Sequence, residues 1–195
     1  MKRNFCLIMV AGMMLGNATL SAQQPTKQAL ARDLEEVARV ASVMMDGDVC
    51  ERIMTPRALQ KMFAVDPNDR WAGSDNFDVN HEPYVFAKKT LMRLARLVPY
   101  PVDCNLWMSF KQDPGKIQIL IRNRHEMSQF WKWGVLFQDQ TPEMAEVLAT
   151  GMPRTIARKG DFVSVLTPVI NSLGDRVGLV EVVSRLHLNP QEHVK

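Results

Sequence analysis

The sequence predicts one α+β domain whose antiparallel sheet stands apart from its helices. Two observations lead there. Apolar residues recur at helical steps through residues 26–98, and β-type runs fill residues 104–184. The order is helices, a β hairpin, a helix-bearing linker and three further strands, and five strands segregated from the helices fit a two-layer α+β arrangement.

The helical part starts at Thr26, where Leu30, Leu34, Val37, Ala41 and Met44 follow at steps of three and four. This spacing predicts a helix of about five turns with one apolar stripe. Asp46-Gly47-Asp48 stops it. Thr55-Pro56 starts a second, short helix ending near Val65, with Thr as cap and Pro at the first helical position. Residues 66–81, DPNDRWAGSDNFDVNH, carry the Asp, Asn, Gly and Pro of a loop. A helix is predicted from Glu82 to Val98, with Phe86, Leu91, Leu94 and Leu97 on its apolar side and Pro99 and Pro101 closing it.

Cys104–Phe110 and Lys116–Arg122 read as strands around the turn Gln112-Asp113-Pro114-Gly115, with Ile117, Ile119 and Ile121 alternating in the second. A helix capped by Thr141 ends at Gly151. Residues 153–158 form a weak third strand, and 161–170 and 176–184 complete the five.

The N-terminus has the layout of a secretory signal peptide over residues 1–22: Met1-Lys2-Arg3, an apolar run from Phe5 to Leu15, then Leu20-Ser21-Ala22. The apolar run is shorter than the roughly 20 residues of a spanning helix. A single domain is expected over residues 23–195, with no transmembrane segment after cleavage and a periplasmic or secreted location. Loss of Lys2 and Arg3 takes the formal charge from +3 to +1. Such a balance offers no basic footprint for nucleic acid. In an oxidising compartment Cys50 and Cys104 could pair, closing a loop worth about 3–4 kcal/mol. Two separately buried thiols are the favoured alternative.

The stretch VSVLTPVINSLGDRVGLVEVVS, residues 163–184, resembles the last two strands of Cache domains, extracytoplasmic relatives of PAS sensor domains. The resemblance rests on Pro168 before the turn, Gly174-Asp175 in it, and the run Gly178-Leu179-Val180 after it. It is looser over residues 104–184. The resemblance implies a PAS/Cache-like five-stranded antiparallel sheet with a long N-terminal helix and flanking helices. It also implies that the last strands are central and that one sheet face floors a small-molecule pocket. Most such domains sit between two membrane helices and pass a signal on. This chain shows no second spanning segment, so binding is implied more strongly than sensing, and any signal would pass to a separate membrane signalling protein.

Candidate binding residues come from two places. IRNRHEMSQFWKWG, residues 121–134, crowds arginines, a histidine and tryptophans together. Arginine forks grip carboxylates, and tryptophans supply walls or a face for a cation. Arg122, Arg124 and Trp131 are therefore candidates for a small organic acid or amino acid. The alternative has Phe130 and Trp131 capping the core while both arginines are solvated. Glu181 is the lone charge in Val177–Val183 and shares a face with Val177, Leu179 and Val183 by period-2 alternation. A carboxylate on an apolar face must be paired, protonated or touching a ligand, because unpaired burial is costly; a partly wet edge position is the plainer alternative.

The acidic loop Asp66, Asp69, Asp75 and Asp78 lacks the alternate-position spacing of an EF-hand. Met44, Met92 and Met144 fall at helical core positions. No nucleophile–base set, zinc-ligand pair or phosphate loop is visible, so neither catalysis nor a cofactor is expected. The function predicted is an exported, sensor-like small-molecule-binding domain. An envelope structural or protein-interaction module, docking through Trp131 and Trp133, is the alternative.

Overall fold

The stepped apolar residues after Thr26 wind into α1, Lys27–Met44. Its first turn is closed by the Thr26 hydroxyl, which accepts from the Ala29 N–H at 3.2 Å. The computed structural model describes residues 26–64, 78–131, 137–157 and 160–186. The predicted leader, most of the 66–81 loop, and Trp133 lie outside those residues.

Among the described residues four further helices follow: α2 (Gly47–Glu51), α3 (Pro56–Ala64), α4 (His81–Leu94) and α5 (Pro142–Thr150). The strands are β1 (Asp103–Ser109), β2 (Lys116–Ile121), β3 (Phe137–Asp139), β4 (Arg154–Ile156), β5 (Phe162–Ile170) and β6 (Arg176–Arg185). They form one antiparallel sheet of six strands in the order β3-β2-β1-β6-β5-β4, curled into a half-barrel. The α+β class is as expected, with β3 added at the edge of the five strands predicted.

Each face of the sheet builds its own core. On one face α1 lies across β5 and β6 and α4 lies against β1. Leu30, Leu34, Val37 and Leu91 from the helices meet Leu106, Val165 and Val180 from the strands. Trp107, Ile117, Leu166 and Leu179 point the other way, where Phe130, Met144 and Val147 cover them. A strand buried on both faces should be apolar at nearly every position, and β6 is buried from Val177 to Ser184.

Several positions differ from the periodicity. Met44, placed in the α1 stripe, is 51% exposed, and Met45 takes the core position because the helix ends between them. Phe86 and Leu97 are also exposed; α4 instead buries Ala87, Thr90, Leu91 and Leu94, and ends at Leu94 before a run of turns. Met92 is exposed while Met144 is fully buried. In β6, a register shift opposite Val169/Ile170 sends Val177 to the α1 face, away from Leu179. Alternation fails there because a bulge inserts one extra residue.

Pro168 stands where a proline can. The β4 ladder along β5 ends at Leu166, so at Pro168 β5 has lost its neighbour on that side. The bulge follows at once. Gly178 serves close strand approach, since a Cβ there would lie 2.3 Å from the Trp107 carbonyl oxygen.

Cys50, in α2, and Cys104, in β1, are both buried free thiols, so the bridge is not formed. Burial pushes the Cys50 thiol up to about 12, helped by the nearby Asp46 and Glu51 charges. Cys104 is raised too, again chiefly by burial. Both behave as small core residues.

Candidate functional site

Residues 122–131 run as a strap between β2 and the second core, and side chains rather than a strand ladder hold them there. The anchors are Asp103 and Asn105 on β1 and Glu181 on β6. Asn105 pairs directly with Glu181 across the two strands, and Asp103 and Asn105 share one face by alternation.

Their oxygens accept every second strap N–H. Asn105 Oδ1 accepts from Asn123 N at 3.2 Å, and the two Asp103 oxygens accept from His125 N at 3.1 Å and Met127 N at 2.7 Å. Glu181 Oε1 accepts from Gln129 N at 2.8 Å. Asn105 Nδ2 also donates to the Met127 carbonyl at 2.7 Å.

Asp103 thereby grips the N–H groups on both sides of Glu126, whose φ is +53°. This left-handed conformation costs a non-glycine residue about 1–2 kcal/mol. Such strain persists only where neighbours enforce it, and the Asp103 clamp supplies the enforcement.

Glu181 is fully buried, which corrects the wet edge position, and it is paired, as one of the alternatives had it. Besides Gln129 N, it accepts from Ser128 Oγ at 2.6 Å, Ser164 Oγ at 3.1 Å, Trp107 Nε1 at 3.3 Å and Asn105 Nδ2 at 3.4 Å. Five donors fill the lone-pair sites of both oxygens and leave no face for a ligand. Burial pushes its carboxyl up from the ordinary value, against the pull of the Ser128, Gln129, Asn105 and Trp107 donors. Asp103 is raised for the same first reason, with the Met127 and His125 N–H groups opposing. Ser128 completes the knot: its oxygen accepts from Phe130 N at 3.1 Å and Trp131 N at 3.0 Å.

The other three candidates behave differently. Phe130 is buried and Trp131 half-buried against the second core, which gives the capping role weighed for them. Arg122 lays its guanidinium over the Trp131 ring, 4.2 Å from Cζ to the ring centre, with Glu126 at 3.9 Å. A cation over an indole face is attracted by the ring quadrupole, so Trp131 is a plate that orients Arg122. The buried indole N–H of Trp131 has no hydrogen-bond partner among the described residues.

Arg122 and Arg124 both line a groove of about 700 Å³ between the strap, the end of β2 and α4. Tyr84, Lys88 and Met92 supply the α4 wall, and the Lys88 ammonium stands 5.7 Å from the centre of the Tyr84 ring. The structure thus brings Arg122 and Arg124 to one groove, with Trp131 behind Arg122, and sets Glu181 apart as the strap's internal anchor. The groove flanks β2 rather than lying over the centre of the sheet.

Sequence reasoning missed Lys88 and Tyr84, one turn apart on a helix taken as scaffold. It also missed Asp103 and Asn105, whose only signal was a polar pair at alternate positions opening an otherwise apolar strand.

Among the described residues no three His, Cys, Asp or Glu side chains converge for a metal, and no helix is long and apolar enough to cross a membrane. No family model, curated protein or solved structure matches the chain.

Proposed function

We propose that this is an exported, PAS/Cache-like domain that binds a small organic anion in the groove between α4 and the strap. The observation that carries the reading is the convergence of Lys88, Arg122 and Arg124 on one concavity, with Glu126 the one carboxylate among its described lining residues. Arginine forks match a carboxylate bidentately, and a guanidinium pre-oriented by Trp131 loses less freedom on binding. The central place of β6 and the long helix packed across the sheet support the likeness to Cache domains. The groove's position departs from that likeness, because the pocket moves from the sheet face to the strap.

A thermal-shift titration with amino acids, short organic acids, amines and purines tests this. An acid that binds only the folded state raises Tm with concentration, and the shift should vanish in Arg124→Ala and persist in Glu35→Ala, a residue outside the groove. Amines that shift Tm while acids do not would sink the reading.

A second reading, an interaction module of the envelope, is favoured by a different surface. Val43 and Met44 at the end of α1, and Ile170 and Leu173 at the β5–β6 turn, are exposed. They belong to segments brought together where Gly47 abuts the Ile170–Asn171 backbone. A photo-crosslinker at position 173 that traps one defined envelope protein, while one at position 88 traps none, would favour it.

A further inference from the structure

We propose that the ligand is a dianion, its two anionic groups lying on either side of Arg124. This deepens the groove reading above and rests on it. A second hollow, of about 380 Å³, adjoins the first and shares Met92, Asn123 and Arg124 with it. Arg96 and His125 line only the second hollow, and Lys88 and Arg122 line only the first. The second hollow also meets the Asp103 carboxylate, whose two oxygens are taken by the His125 and Met127 N–H groups.

Arg124 thus stands at the junction of two hollows along one trough, each with a further arginine of its own. One wall is α4 and the turns after it, the other the strap. Lys88 and Arg96 are eight residues apart in chain, so the cations follow the trough lengthwise rather than clustering at one point. A monoanion can satisfy one end only. Two anionic groups joined by a short linker engage both ends for a single loss of translational freedom, and the linkage raises affinity by effective concentration. The apolar atoms of Met92, shared by both hollows, suit a hydrocarbon linker.

The test is isothermal titration of the purified protein at low and physiological salt, with succinate and glutarate against acetate and butyrate. Pyrophosphate against phosphate separates a tetrahedral from a planar preference. The expected result is a dianion bound at least tenfold tighter than its monoanion. Lys88→Ala and Arg96→Ala should each bring the dianion down to monoanion affinity, and Arg124→Ala should remove both. All three side chains are exposed, and circular dichroism checks that each variant folds.

Equal affinity for dianions and monoanions, or an Arg96→Ala variant that binds dianions as well as wild type, overturns the two-ended trough and leaves the single groove standing. Absence of binding by every anion overturns the trough and the groove together.

Discussion

Replacing Glu181 with alanine tests the strap's anchoring. Five donors lose their acceptor, but they are not equal. The Ser128 and Ser164 hydroxyls can rotate toward other acceptors, and Asn105 Nδ2 keeps the Met127 carbonyl at 2.7 Å. The Gln129 backbone N–H and the Trp107 indole N–H have no such freedom. Two orphaned donors at about 1–3 kcal/mol each give a loss of about 2–6 kcal/mol. Relief from burying the carboxyl draws the expected value to about 2–4 kcal/mol. That is a large share of a domain's stability, typically about 5–15 kcal/mol. Urea unfolding followed by tryptophan fluorescence reads it, and Glu181→Gln, which keeps one acceptor oxygen, should fall between wild type and alanine. A loss below about 0.5 kcal/mol, the size of an ordinary surface substitution, would falsify the claim that Glu181 anchors the strap.

Glu126→Gly removes the cost of a left-handed φ and should leave stability unchanged or raise it by up to about 1 kcal/mol, where most substitutions lower it; the same urea assay measures this, and a clear loss would mean that the Arg122 pairing outweighs the strain. With both thiols buried and raised, Cys50 and Cys104 should react with a thiol reagent only after denaturation, and rapid native labelling would contradict their packing. Asp103 and Glu181 have raised folded-state values, so the folded protein holds protons that the unfolded chain has released. Their contribution is fullest at acid pH, below the ordinary carboxylate range, and declines as pH climbs through the raised values. Urea midpoints across pH should therefore show a shallower decline in Glu181→Gln than in wild type.

The parts of this fold that were legible in the sequence are those whose signal is local. Thr26, Thr55 and Thr141 each mark a helix start, and Gly151 ends α5 with φ +74°. β5 and β6 stood out because ten or so consecutive positions lean toward β. β3 and α2 did not, for the same reason: three residues pairing with Lys116–Gln118, and five residues held by the Asp46 cap, depend on what they pack against. The site divides likewise. Composition points to Arg122, Arg124 and Trp131; the two arginines line one groove with α4, and Trp131 stacks under Arg122. Glu181 was rightly singled out as unusual, but its role could not be read, since its partners lie 17 to 76 residues away. A carboxylate on an apolar face is equally suited to a ligand ammonium or to backbone N–H groups of a distant segment.

The shape of the sheet's margins bears on strand pairing between copies of this chain. Its longest and most apolar strands, β5 and β6, would in isolation be templates for intermolecular pairing and fibril growth. The marginal strands are instead β3 and β4, three residues each. Lys116 and Asp139 form an ion pair across the β2–β3 margin, while Pro168, past the end of the β4 ladder, is itself buried. Two stubby borders, three residues each, trade a few ladder hydrogen bonds for resistance to aggregation.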